Sequence, residues 1–138
     1  MQELQIEAKT ENLEKIQNFI FDFMSANNIS EPNKMKVDVI VEEIFVNICS
    51  YAYDGKPGPC TIKQSVENNI LKISFIDSGK QYNPLEKKDP DITLGADQRP
   101  IGGLGIYMTK KMMDEVLYEY KNNQNILTII KDNNKKGN

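Results

Sequence analysis

Lys36, Glu43, Asn47, Ser50 and Asp54 form one polar stripe, at spacings of seven, four, three and four, on a segment otherwise apolar almost all round. Glu43 and Asn47 therefore share a helical face, one turn apart. A carboxylate and an amide oxygen so placed are hard donors suited to Mg²⁺, which keeps several waters and takes few protein ligands. Taken alone, such a pair is most simply a solvated stripe. Further along, Leu71, Ile73 and Phe75 alternate onto one face of a strand, and the same alternation carries Asp77 there. A carboxylate aimed into an apolar interior is costly unless a donor meets it, and the exocyclic amine of adenine is such a donor. The simpler reading is that Asp77-Ser78-Gly79 opens a turn. Finally, Ile101-Gly102-Gly103-Leu104-Gly105-Ile106 sets three glycines just before a helix, where free N–H groups and the positive dipole end can receive phosphate oxygens. It is not a Walker A loop, because no Gly-Lys-Ser/Thr follows, and Met108 stands where the dinucleotide fingerprint has its third glycine. A hinge is the simpler reading of this run too.

The elements that must position these residues follow from periodicity. Residues 3–8 alternate as a short, half-buried strand. From Glu11, the positions Leu13, Ile16, Phe19, Ile20 and Phe23 recur at helical spacing until Asn27 and Asn28 interrupt them. Ser30-Glu31-Pro32 reads as the start of a second helix reaching about Tyr53, which carries the Glu43 stripe. Its many β-branched residues favour a strand locally, but its length exceeds one. After the turn at Asp54–Pro59, Thr61–Val66 and Ile70–Asp77 read as a hairpin around Glu67-Asn68-Asn69. Ser78 to Ile101 has little periodicity, and so long a loop in a compact domain suggests a lid. A short helix over Ile106–Met113 and a second hairpin, Val116–Tyr120 with Ile126–Ile130 around Asn122–Asn125, complete the chain. Strands in hairpins and helices in separate blocks predict an α+β fold, a mostly antiparallel sheet with helices on one face.

The composition narrows the function. The chain has 138 residues, 39% of them hydrophobic, the length of one domain with one core. A net charge of −3, with Lys+Arg 17 and Asp+Glu 20 well mixed, leaves no basic stripe for nucleic acid. No segment has the length and apolarity of a signal peptide or a membrane span, and Cys49 and Cys60 read as reduced thiols, so a cytoplasmic protein without a membrane partner is expected. The absence of histidine removes imidazole zinc sites and any phosphohistidine relay within the chain.

Taken in order, Glu43-x-x-x-Asn47, Asp77-x-Gly79 and Gly102-Gly103-Leu104-Gly105 resemble the N, G1 and G2 boxes of the GHKL ATPase superfamily. Within it, the compact length and the segments VEEIFVNICSYAY and GGLGIYMTKKMMDEV are similar to the bacterial anti-sigma factor serine kinases. The resemblance covers most of the chain. It implies a Bergerat-type two-layer sandwich, helices over a mixed sheet, with one ATP-binding domain over residues 1–131; the tail over 132–138 is polar and is expected to be disordered. ATP would lie between the helical side of the sheet and the long lid. By the same resemblance Asn47 would coordinate Mg²⁺ and Glu43 would act as general base toward an incoming hydroxyl. Asp77 would bind the adenine amine and Gly79 would admit the base. Gly102, Gly103, Leu104 and Gly105 would form the phosphate loop, with Gly103 and Gly105 as its cradle. Thr128 on the last strand would lie beside Asp77 near the adenine.

Two departures stand out. Gln81 occupies the place of the second G1 glycine, and Ile101 occupies the place of a basic residue before the G2 glycines. Arg99 would substitute as the cationic clamp on the terminal phosphate. The implied function is a serine/threonine kinase and anti-sigma factor, sequestering a sigma factor and phosphorylating a serine on a STAS-domain anti-anti-sigma partner. Gln81 and Ile101 motivate an alternative, a non-catalytic ATP-gated protein-binding module of the same fold. A sensor histidine kinase is excluded as a complete enzyme, for want of a histidine and of a long helical hairpin to present it. The resemblance also suggests a homodimer, with the apolar N-terminal strand as an edge open to pairing.

Overall fold

A computed structural model describes residues 1–86 and 104–134. Strand β1 spans Gln2–Glu7, and a 3₁₀ turn at Thr10–Asn12 leads into helix α1, Leu13–Ala26. Ile16, Ile20 and Met24, each four residues apart, form its buried stripe, and Asn28, in the left-handed region at φ 58°, turns the chain away. Helix α2 spans Glu31–Tyr51. The Ser30 hydroxyl accepts from the Asn33 N–H at 3.4 Å, and Pro32 sits in the first turn, where its missing donor costs nothing. Val37, Ile40, Val41, Ile44, Phe45 and Cys49 are buried along it. Capping and tertiary burial thus override the strand preference of its β-branched residues.

Strands β2 (Pro59–Glu67) and β3 (Ile70–Asp77) meet at Asn68-Asn69, with φ of 53° and 63°. Strands β4 (Glu115–Lys121) and β5 (Gln124–Asp132) meet at Asn122-Asn123, with φ of 55° and 62°. Both connections are two-residue turns, tighter than the three- and four-residue turns expected, because paired asparagines tolerate the left-handed backbone such turns need. The sheet has five strands in the order β1-β2-β3-β5-β4, and every neighbouring pair is antiparallel. Inward residues Ile62, Leu71, Ile73, Phe75 and Ile129 share one core with α1 and α2, which places both helices on the same face. Full burial of each such side chain contributes about 1.5–3 kcal/mol.

Helix α3, Leu104–Met112, is fixed at its C-terminal end by the buried Lys131. The Lys131 ammonium donates to the Met112 carbonyl at 3.3 Å and lies 3.8 Å from the Asp114 carboxylate, a cation at the negative end of the helix dipole. The chain stays hydrogen-bonded beyond residue 131. Asn33 donates to the Asn133 side chain at 2.8 Å, and Asn134 donates to the Asn68 carbonyl at 2.8 Å. The fold therefore extends past the boundary expected at 131, and the tail expected to be disordered is held through Asn134. Most of the expected lid, and the glycines Gly102 and Gly103, lie outside the described residues.

Candidate functional site

The packing of α2 fixes the first pair. With Ile40, Ile44 and Phe45 facing the core, Glu43 is half-buried at the helix shoulder and Asn47 is exposed one turn on. Asn47 Nδ2 donates to Glu43 Oε1 at 3.3 Å. The neighbouring carboxylate dictates this orientation, since a reversed amide would set oxygen against oxygen, and it leaves Asn47 Oδ1 directed elsewhere. Gly105, in the first turn of α3, lies against the same carboxylate. A Cβ on Gly105 would overlap Glu43 from Oε1 back to Cγ. The resemblance implies a place for this glycine near phosphate; what the structure shows is that its missing side chain lets α3 approach Glu43.

Asp77 ends β3 on the inward face and is buried, with 6% of its surface exposed. Its Oδ1 accepts from the Gly79 N–H at 2.9 Å and from Asn125 Nδ2 at 3.0 Å. Gly79 packs on the end of α2, where a Cβ would collide with the Ala52 carbonyl, and the Lys80 N–H donates to that carbonyl at 3.1 Å. Tyr53 binds the same corner, donating to the Pro59 carbonyl at 2.5 Å and accepting from the Ser78 N–H at 2.7 Å. The absence of a side chain at Gly79 is thus required by helix-to-strand packing, whatever ligand the cavity takes.

Between α2, β3, β5 and α3 lies a cavity of about 460 Å³. Its walls, among the described residues, include Glu43, Asn47, Tyr51, Phe75, Asp77, Lys80, Gln81, Tyr82, Ile106, Thr109, Tyr118, Asn125 and Leu127. The volume is in the range of small-ligand sites, and an apolar lining with a few convergent polar groups is their usual chemistry. Glu43, Asn47 and Asp77 are therefore brought to one cavity, with Gly79 and Gly105 against its walls. Leu104 is the first residue of α3. Gly102, Gly103 and Arg99 lie outside the described residues.

Thr128 does not lie beside Asp77. In the antiparallel register Asp77 pairs with Asn125, while Thr128 pairs with Ser74, three residues back. Alternation turns Thr128 to the sheet face away from the helices, where its hydroxyl meets that of Ser74 at 2.8 Å. Asn125 holds the position assigned to Thr128. From sequence it reads only as part of the Asn122–Asn125 turn. The signal for it was the tight Asn122-Asn123 turn, which starts β5 at Gln124 and puts Asn125, Leu127 and Ile129 on one face.

Cys60 pairs with Asp77 across the β2–β3 ladder and is 2% exposed. Burial first, then the Asp77 carboxylate and Cys49, push its thiol up from 9.0 to about 12. Burial likewise raises Cys49, Tyr53 and Tyr118. Above the ordinary thiol value the unfolded chain releases protons that the fold retains. Stability contributed by Cys60 is therefore intact below pH 9 and lost as pH rises toward 12. Each such proton costs about 1.4 kcal/mol per pH unit in that window. Urea unfolding between pH 8 and 10.5 should show the decline in the wild type and a shallower one in Cys60→Ala.

Comparison with known proteins identifies the family and the fold. A protein called anti-sigma F factor from Thermoanaerobacter sp. (strain X514) is 24% identical over 119 residues, covering 86% of this chain and 83% of its own length. The serine-protein kinase RsbW of Bacillus mycoides (strain KBAB4) is 25% identical over 118 residues, covering 83% of this chain and 74% of its own. The crystal structure of the RsbU and RsbW domains of a Mycobacterium tuberculosis protein superposes with a TM-score of 0.64 at 12% identity. That match spans 95% of this chain and 32% of the longer protein, and shows the fold. The profile of the histidine kinase-like ATPase domain matches residues 6–131, and the chain belongs to that family.

Proposed function

We propose that the cavity binds ATP with Mg²⁺ and that the protein is an anti-sigma factor serine/threonine kinase acting on a STAS-domain anti-anti-sigma partner. The observation that carries the reading is the convergence of Glu43, Asn47, Asp77 and the α3 start at Gly105 on one cavity. The names of the relatives, anti-sigma F factor and serine-protein kinase RsbW, support the choice of function within the family.

The donor set suits Mg²⁺ in a nucleotide site. Among the described residues no group of three or more acidic, thiol or imidazole ligands is assembled. One or two protein oxygens completed by phosphates and water is the usual arrangement for this ion. Asn47 Oδ1 would be the ligand. Bound Mg²⁺ would neutralise charge developing on the transferred phosphoryl group. Asp77 Oδ2, which no described residue hydrogen-bonds, would accept from the adenine amine. Glu43 would take the proton of the incoming serine hydroxyl at Oε2, since Oε1 is engaged by Asn47. The serine oxygen then bonds to the γ-phosphorus as the bond to ADP breaks.

A non-catalytic nucleotide-gated module is favoured by one feature, Gln81 lining the cavity where a second glycine would widen it. Melting curves test the part common to both readings. MgATP at a hundred times its dissociation constant should stabilise the protein by about 2.7 kcal/mol, a shift of several degrees. MgGTP should shift it less, and Asp77→Ala should lose about 1.5–3 kcal/mol of ATP binding. Equal shifts with both nucleotides would refute an adenine-reading Asp77. A melting shift with MgATP but no phosphoserine on any STAS partner would decide for the module.

A further inference from the structure

We infer that Asn125 is a positioning residue that confers selectivity for a 6-aminopurine on this cavity, an inference that rests on the ATP reading above. Asn125 is 7% exposed, and its amide is fully used. Nδ2 donates to Asp77 Oδ1 at 3.0 Å, to the Lys80 carbonyl at 2.9 Å and, at 3.5 Å, to the Gly79 carbonyl. Oδ1 accepts from the Tyr82 N–H at 3.1 Å and from the Tyr118 hydroxyl at 2.5 Å. Only asparagine in this orientation satisfies all five partners. A reversed amide, or an aspartate, would face the Asp77 carboxylate and the Lys80 carbonyl with oxygen.

Two consequences follow for a ligand. Oδ1 of Asp77 is held by Gly79 and Asn125 together, so the carboxylate has one fixed orientation and offers Oδ2 alone to the cavity. The segment from Lys80 to Tyr82, whose residues wall the cavity, is tied to β5 by the same amide. A purine is therefore met by a single immobile acceptor beside a braced wall. An amino group at position 6 donates to that acceptor. A 6-oxo group sets oxygen against oxygen, and the bonds from Asn125 to Lys80 and Tyr82 oppose the retreat that would admit a bridging water. Without Asn125 the carboxylate can turn and the wall can relax, so the two bases become harder to tell apart.

The test is the ratio of MgATP to MgGTP dissociation constants, measured by titration calorimetry on wild type, Asn125→Leu, Asn125→Ser and Ser74→Ala. Leucine keeps the approximate shape of asparagine and removes all five hydrogen bonds. Loss of a hydrogen-bonded acceptor geometry of this kind should lower the preference for ATP about tenfold, chiefly through weaker ATP binding. Ser74→Ala breaks the hydroxyl pair with Thr128 on the far face of β3 and β5, and should lower the melting temperature with the preference unchanged. Should Asn125→Leu fail to fold, Asn125→Ser carries the measurement, since a shorter side chain cannot bridge Asp77, Lys80 and Tyr82 at once. A folded Asn125 variant that keeps the wild-type preference overturns the inference, as does an equal loss in Ser74→Ala. Wild type that does not bind MgATP overturns the ATP reading instead.

Discussion

Replacing Glu43 with alanine is expected to slow phosphoryl transfer to the STAS partner by about 10²–10⁴, the usual contribution of a positioned general base. MgATP affinity should stay close to wild type. The split follows from the geometry. Glu43 lies at the shoulder of α2 near Gly105, at the α3 end of the cavity, whereas Asp77 ends a strand and is tied to Asn125. Glu43→Gln refines the test. It keeps the side-chain length and the acceptor for Asn47 but cannot take a proton, so it should match alanine in rate. Single-turnover labelling of the partner at saturating MgATP measures the step directly. Labelling at the wild-type rate in either variant would remove Glu43 from the mechanism. Absence of labelling in the wild type would leave the module reading in place.

What the sequence made legible is whatever depends on neighbours along the chain. The helical spacing of Glu43 and Asn47 and the alternation that buries Asp77 needed only local periodicity, and both hold. So did the start of α2, where Ser30 and Pro32 outweighed a run of valines and isoleucines. What was not legible depends on register and on approach in space. The pairing of Asp77 with Asn125 rather than Thr128 is set by a crossover that places β5 between β3 and β4. No periodicity within either strand fixes that offset. An asparagine next to a turn also has an ordinary local explanation, which hid its five hydrogen bonds. The contact of Gly105 with Glu43 spans two helices and a long connection. The glycine's value to α3 packing could be seen only after folding.

That contact supplies the second large effect. Gly105→Ala is expected to fold, because the atoms its Cβ would strike belong to a side chain that can swing aside. The swing is the damage. Displacing the Glu43 carboxylate by about an ångström from a productive line of attack can cost about 10²-fold in rate. The cause is separable from any harm to phosphate binding by a double-mutant cycle. In a Glu43→Ala background there is no carboxylate to displace, so Gly105→Ala should slow the residual reaction little further. If Gly105 acts only through its backbone on the phosphates, the two substitutions should instead multiply, and MgATP affinity should fall in both backgrounds. Measured rates for the four proteins decide between a glycine that makes room for the base and one that serves the nucleotide alone. The overlap with Glu43 predicts the non-additive result.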